Sequence, residues 1–267
     1  MRPKEKIEMN TEIHREMSIH GPQWHALHDG YFADPDIAEG FIEKVKQAVM
    51  VCEPEVMVDL AGGTGYLLSE LSMHGLGPEI SLVNIDFSNK QLAGVKDPKI
   101  RTFHSSIADF KRSDIYDTSK RFLYIMRSAL HYFGRNGLTS LLQHLRSQAK
   151  QGEFFVHQTA CFEFDRDACC LNMIYELMGS EKWYPTIKEL QALMESAGWT
   201  IRSVSKAPKL TLTSEELTKR YGLAEDNIGR IRNEIIDRYD QIDDVVSIRP
   251  DGFCAYLHYK IYECVAV

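Results

Sequence analysis

The sequence lacks the features of membrane, secreted and repeat proteins. It has no apolar run long enough to cross a bilayer, no signal peptide, no low-complexity tract and no internal repeat. Its six cysteines follow no disulfide spacing, and the neighbours Cys169 and Cys170 fit ordinary buried thiols better than a reactive pair. We therefore expect a cytoplasmic protein with no membrane partner.

An excess of positive charge is also missing. Lysine and arginine number 31 against 38 aspartates and glutamates, which gives a net charge of −7, and no basic stripe offsets it. A polyanion would be repelled, so the composition argues against nucleic acid as a partner. At 267 residues with 44% hydrophobic content, the chain can bury one sizeable core, which predicts a single elaborated domain.

The most informative segment runs from an apolar strand through a glycine turn into a helix. The strand is expected at Val56–Leu60 and the turn at residues 61–65. In α/β proteins such a junction binds nucleotide-like ligands. Gly63 and Gly65 lack a Cβ, so the turn can adopt positive φ and a ligand can approach its backbone.

Two phosphate-binding interpretations of this turn lack the residues they need. The dinucleotide fingerprint requires a third glycine where Leu68 stands, and the P-loop requires a lysine, which residues 51–73 do not contain. Asp59 at the strand end would repel a phosphate and attract a ligand with an ammonium group and vicinal hydroxyls. S-adenosylmethionine (SAM) fits that description.

Two further strand ends point to the same ligand. The apolar run 80–85 ends in Asp86, about 20 residues after the glycine turn, where an acid can accept both hydroxyls of a ribose. The strand predicted at Ile100–His104 leads into residues 105–110, whose small and polar side chains could border an adenine. Parallel strands present their carboxyl ends at one edge, so these ends are expected to converge on one nucleoside.

With these motifs, residues 35–267 resemble the class I SAM-dependent methyltransferases of the small-molecule type. The family's first motif corresponds to residues 58–65, its acid after the second strand to Asp86, and its adenine-side motif to residues 105–110. Ser106 replaces an acid that is common in the family. The resemblance implies cofactor contacts from Asp59, Ala61, Gly62, Gly63, Gly65, Asp86, Phe87, Ser106, Ile107, Asp109 and Arg127.

The resemblance also implies the fold. It is an α/β, Rossmann-like sheet of seven mostly parallel strands with an antiparallel last strand, expected at residues 253–262, and with helices on both faces. Two additions are expected: a helical extension at residues 1–34 that covers the pocket, and a helical insertion at residues 208–250 before the last strand. The domain proper would then span residues 35–267.

Three pairs of residues mark helix starts. Asp34 before Pro35 predicts a capped helix, and Thr186 with Glu189 predicts a capping box on a later helix. Within the insertion, Thr213 and Glu216 form the same pattern.

The segment Ser-Ala-Leu-His-Tyr-Phe at residues 128–133 looks like the Leu-His-aromatic segment of small-molecule methyltransferases. Methyl transfer can proceed without dedicated acid-base residues, but a base near the proton of an acceptor hydroxyl would accelerate it. His131 and His157 are the candidates, because each follows a strand that ends on the cofactor side, although either histidine could equally serve in packing. Tyr132 and Arg127 could orient the acceptor.

Four histidines and several aromatic residues crowd into the amino-terminal segment. It contains neither His-Glu-x-x-His nor paired Cys-x-x-Cys motifs, so no metal is expected. We expect Trp24, His28 and Tyr31 to line the acceptor pocket, with simple packing as the alternative.

The favoured function is therefore methyl transfer from SAM to an oxygen or nitrogen of a small molecule, by a possible homodimer. One alternative is a non-catalytic protein that binds SAM or S-adenosylhomocysteine. A weaker one is an NAD-linked oxidoreductase, which the missing third glycine disfavours.

Overall fold

A seven-stranded sheet forms the centre of the molecule, which a computed structural model describes for residues 30–239, 242 and 244–267. The strands are β1 (Val56–Leu60), β2 (Ser81–Asp86), β3 (Ile100–His104), β4 (Phe122–Arg127), β5 (Phe154–Ala160), β6 (Trp199–Lys206) and β10 (Tyr259–Ala266). They lie in the order β3-β2-β1-β4-β5-β10-β6, and β10 runs antiparallel to both of its neighbours. The predicted fold class is confirmed.

Helices cover both faces of this sheet. They are α1 (Pro35–Cys52), α2 (Tyr66–Met73), α3 (Asn89–Leu92), α4 (Arg112–Ile115), α5 (Gly134–Gln148), α6 (Asp165–Leu177) and α7 (Ile187–Ser196). Strand side chains alternate between the faces, so Met57 packs with α1 and α2 while Val56 and Val58 pack with α5 and α7. Every residue of β1 is buried, which explains why the strand is apolar except for Asp59.

The predicted helix starts are confirmed. The Asp34 side chain accepts from the backbone N–H groups of Asp36 and Ile37 at the start of α1. Both halves of the Thr186 and Glu189 capping box are present at α7.

The insertion at residues 208–250 contains strands as well as the two predicted helices. Its elements are β7 (Leu210–Thr213), α8 (Ser214–Tyr221), α9 (Glu225–Tyr239) and β8 (Val246–Arg249). With β9 (Gly252–Leu257), the strands form a small antiparallel sheet in the order β7-β9-β8. Helices α8 and α9 pack with α6 in a second hydrophobic core.

The expectation of one last strand at residues 253–262 is wrong. The chain leaves the small sheet after β9 and enters the main sheet at β10, with His258 between them. The His258 Nε2 atom lies 2.6 Å from the carbonyl oxygen of Asp244, which anchors the crossing. Both strands are largely buried, so apolar side chains recur from β9 into β10 and their pattern does not reveal the change of sheet.

No helix within the described part of the chain is both long and apolar enough to cross a membrane.

Candidate functional site

The glycine turn after β1 has left-handed backbone geometry at three positions. The φ angles are +58° at Ala61, +57° at Gly63 and +74° at Gly65. The predicted positive φ of the two glycines is confirmed. Ala61 was not expected there, because a Cβ in the left-handed region costs about 1–2 kcal/mol. The surrounding turn therefore holds Ala61 in a backbone conformation that is unfavourable for alanine.

Gly62 lies directly over two polar side chains of the sheet. A Cβ at this position would be 2.3 Å from Asn84 Oδ1 and 2.4 Å from Asp59 Oδ2, so only glycine fits. Asn84, fully buried in β2, donates through Nδ2 to the Gly63 carbonyl at 2.9 Å. The sequence analysis missed Asn84; its signal is one amide side chain within the apolar run 80–85.

Asp86 stabilises the other side of the turn through hydrogen bonds. Its Oδ2 accepts from the Gly63 N–H at 2.9 Å, and its Oδ1 accepts from the Ser88 N–H at 2.8 Å. Burial raises the pKa of the Asp86 carboxyl, and these backbone donors partly oppose that rise. The carboxylate at the end of β2 therefore helps to shape the turn.

Asp59 is a buried carboxyl group whose two oxygens have no hydrogen-bond partner among the described residues. The residue is 1% exposed. Burial raises the pKa of Asp59 well above its usual range, and Asp86 raises it further, while Arg127 opposes both effects. A buried charge is costly without a partner, so the site fits a ligand that brings positive charge or hydrogen-bond donors to this position.

Arg127, at the end of β4, contacts the segment that precedes α1. Its guanidinium donates to the carbonyl oxygens of Phe32 at 3.2 Å and Tyr31 at 3.4 Å. The Tyr31 hydroxyl donates to the Pro208 carbonyl at 2.5 Å, where the insertion begins. Arg127 and Tyr31 thus join the sheet edge to both additions. Trp24 and His28, predicted with Tyr31 to line the pocket, lie outside the described residues.

His131 lies in a 3₁₀ turn, Leu130–Phe133, that is separated from the end of β4 by Ser128 and Ala129. Its ring stacks on Tyr184 at 5.1 Å with an interplanar angle of 16°, and the Tyr132 ring is 4.1 Å away. The Trp183 N–H donates to the His131 carbonyl at 3.2 Å. His131 and Tyr132 are therefore held together by the connection between α6 and α7.

His157 occupies a different environment. It is fully buried in β5, with its ring parallel to that of Tyr262 at 4.9 Å and stacked on Phe155 at 4.7 Å. Its Nδ1 lies 2.9 Å from the Thr159 hydroxyl oxygen. Burial lowers the pKa of His157 to about 3, so the ring is neutral near pH 7. This placement favours a packing role, and catalysis by His157 stays a prediction.

The predicted adenine-side residues form a tight turn after β3. The Ser106 hydroxyl accepts from the Ala108 N–H at 3.1 Å, while Ile107 packs in the core and Asp109 is exposed. On the adjoining loop, the Phe87 carbonyl oxygen lies 2.8 Å from His104 Nε2. Their predicted contacts with an adenine stay predictions.

Across the described ranges, no cluster of three or more His, Cys, Asp or Glu residues could hold a metal ion. His14, His20, His25 and His28 fall outside those ranges.

Solved structures share this architecture. The BH2331 protein of Bacillus halodurans C-125, assigned as a methyltransferase, matches with a TM-score of 0.66 at 13% identity over 84% of this chain and 98% of its own. Human N-acetylserotonin methyltransferase, solved with SAM, matches with a TM-score of 0.53 at 15% identity over 96% of this chain. LepI, also solved with SAM, matches with a TM-score of 0.51 at 10% identity over 80% of this chain.

The coverage of the neighbours differs. The matches span 56% of the human enzyme and 43% of LepI. No protein-family model matches the chain, and no curated protein matches its sequence. The protein therefore has the fold of the class I SAM-dependent methyltransferases, and the similarity lies in structure at low sequence identity.

Proposed function

We propose that the protein is a SAM-dependent methyltransferase that acts on an oxygen or nitrogen of a small molecule. The observation that carries the proposal is the Asp59 carboxyl group, buried beneath a glycine turn without a partner among the described residues. A phosphate at this turn would meet like charge, which disfavours the dinucleotide alternative. Two structural neighbours were solved with SAM.

Each residue of the candidate site would have a role that follows from its position. Asp59 would face the cationic end of the cofactor and Asp86 its ribose, while SAM when bound supplies an electrophilic methyl group. Alignment of the acceptor alone can lower the activation free energy of such a displacement by about 7–11 kcal/mol. His131 would accept the proton of an acceptor hydroxyl, and Tyr132 would help to orient that acceptor. Binding of SAM without formation of methylated product would instead support the non-catalytic alternative.

The two additions to the sheet would enclose the acceptor. Support comes from the contacts of Arg127 with Tyr31 and Phe32, and of Tyr31 with Pro208, which bring both additions to the edge of the sheet that carries Asp59. Such appended elements commonly close active sites against water. A pocket closed in this way admits a small molecule and excludes a folded macromolecule.

We expect SAM and S-adenosylhomocysteine to stabilise the fold, by about 2.7 kcal/mol at one hundred times the dissociation constant. The Asp86→Ala variant should lose about 1.5–3 kcal/mol of binding free energy, because a charged acceptor for the ribose hydroxyls and a support of the turn are removed. Isothermal titration calorimetry with S-adenosylhomocysteine measures the loss. The control is Asp97→Ala, which removes a carboxyl group from a partly exposed loop before β3. Equal affinity in wild type and Asp86→Ala would place the ribose elsewhere.

The Asp59→Asn variant should change stability and binding in opposite directions. Without ligand, it relieves a buried carboxylate that has no partner among the described residues, and we expect a gain of about 1–3 kcal/mol in the free energy of unfolding. Affinity for SAM should fall, because the charge that faces the cation is lost. Urea denaturation and calorimetry measure the two effects, with the exposed Asp114→Asn as control.

The Asp59→Asn variant should also change how the stability of the protein depends on pH. Because the folded-state pKa of Asp59 is raised, the folded protein holds this proton more tightly than the unfolded chain. The stability that this proton contributes is fully present at a pH below the ordinary aspartate pKa. It is lost as the pH rises through the folded-state pKa of Asp59. This decline should be smaller in Asp59→Asn. A variant less stable than wild type in the absence of ligand would show that Asp59 has a structural role instead.

A further inference from the structure

Lys182 places a buried positive charge beside the predicted acceptor side of the site. The residue is 4% exposed and lies between α6 and α7. Its Nζ atom is 4.7 Å from the ring centroid of Tyr132, 5.3 Å from that of Tyr221 and 5.6 Å from that of Tyr175. It also donates to the Tyr221 hydroxyl oxygen at 2.6 Å. Cation–π attraction and this charge-assisted hydrogen bond favour the ammonium in such a setting.

The three rings come from three different parts of the fold. Tyr132 follows His131 in the 3₁₀ turn, Tyr175 belongs to α6, and Tyr221 ends helix α8 of the insertion. One ammonium group therefore joins the turn that carries the predicted base to the inserted helix.

The residues next to Lys182 in the chain also hold His131. Trp183 donates its N–H to the His131 carbonyl, and Tyr184 stacks on the imidazole. The Tyr132 ring neighbours both the ammonium and the His131 ring, so the distances of 4.7 Å and 4.1 Å put the charge within about 9 Å of the imidazole centre.

We propose that Lys182 is a positioning residue for methyl transfer, which keeps Tyr132 against His131 and couples the inserted helix α8 to the acceptor side of the site. The role in transfer rests on the proposed function. The coupling between Lys182 and His131 rests on the described contacts alone.

The ammonium should also act on His131 through its charge. The titratable or charged groups of the described residues that face His131 are Tyr132 in its own turn and Tyr184 and Lys182 in the connection, with Tyr175 and Tyr221 behind them. A nearby cation disfavours the imidazolium form, so it favours the neutral imidazole that a base requires. At an effective dielectric constant near 20, removing the charge should raise the titration midpoint by about one pH unit.

The test is an NMR titration of the full chain labelled with ¹⁵N-histidine, and the His131→Gln variant identifies the His131 resonance by its loss. We expect the His131 midpoint to rise by about one pH unit in Lys182→Met. Lys182→Arg retains the charge and should titrate like wild type. Tyr221→Phe loses the hydrogen bond but keeps the cation, so its midpoint should also stay near that of wild type.

Activity measurements provide a second readout. With an acceptor in hand, the acid limb of the kcat/KM profile should move with the midpoint in Lys182→Met, while S-adenosylhomocysteine affinity stays at the wild-type value. Lys182→Gln replaces Lys182→Met if that variant does not fold. Two results would overturn the proposal. One is a His131 midpoint in Lys182→Met equal to that of wild type, and the other is a midpoint in Lys182→Arg equal to that in Lys182→Met.

The titration needs neither SAM nor acceptor, so an unchanged midpoint counts against Lys182 and leaves the proposed function standing. Conversely, a folded wild-type protein that binds no SAM would overturn the proposed function, while the titration would still decide whether Lys182 is coupled to His131.

Discussion

Replacing His131 by alanine is expected to reduce turnover by about 10²–10⁴-fold, the usual contribution of a general base. The physical reason is position: the 3₁₀ turn follows β4 at the same edge of the sheet as Asp59 and Asp86, and the ring is held by Tyr132 and Tyr184. Affinity for SAM should stay nearly unchanged, because the cofactor contacts proposed for this edge do not include His131. Single-turnover kinetics and calorimetry separate the two effects.

The control for this variant is His74→Ala, which removes an exposed histidine at the end of α2. The wild-type rate should rise with pH as His131 loses its proton, and the variant should lack that rise. A smaller loss without pH dependence would indicate that His131 only positions the acceptor. Full activity of His131→Ala at every pH would exclude it as the base and leave His157 as the other predicted candidate.

The second large effect is expected at the opposite edge of the sheet, where Glu153→Gln should lower the free energy of unfolding by about 3–5 kcal/mol. Glu153 forms a two-pronged ion pair with Arg112, with N···O distances of 2.6 Å and 2.7 Å, and also accepts from the Phe122 N–H at 2.8 Å. The Glu153 side chain is only 2% exposed and the Arg112 side chain only 9%. The variant leaves the guanidinium buried without its counter-charge, and urea denaturation measures the cost.

Two variants distinguish this effect from a general loss of charge. Glu55→Gln removes one partner of the exposed Lys120–Glu55 pair and should have a much smaller effect, since exposed pairs contribute little. The double variant Arg112→Met/Glu153→Leu removes both buried charges and should be more stable than Glu153→Gln. A stability of Glu153→Gln equal to wild type would show that the pair does not hold β4 and β5 in place.

Several local features of the fold could be predicted because they depend on short stretches of chain. The apolar run of β1, the positive φ of Gly63 and Gly65, and the cap of α1 at Asp34 follow from steric and hydrogen-bonding rules that act over a few residues. Asp59 and Asp86 could be assigned to one edge because parallel strands present their carboxyl ends together.

Other features needed contacts between segments that are distant in the chain. The left-handed φ of Ala61 contradicts its own steric preference and is held by the surrounding turn. Apolar periodicity continues through His258, so it does not show that β9 and β10 belong to different sheets. The roles of Asn84 and Lys182 likewise depend on which segments surround them, and an isolated amide or ammonium in the sequence does not reveal its neighbours.

By itself, then, the sequence determined the glycine turn and the acids at the neighbouring strand ends, because backbone sterics and the common edge of parallel strands place them, while the parallel sheet followed from the resemblance to the family. The tertiary structure decided which side chains surround each of the two predicted histidines. His131 and His157 both follow β-strand patterns in the sequence, but the side chain of His157 is enclosed between Phe155 and Tyr262. His131 instead lies in the turn beyond β4, next to Tyr132 and Lys182. Packing between distant segments sets that difference, because the side chains that enclose a residue come from strands and helices far from it in the chain.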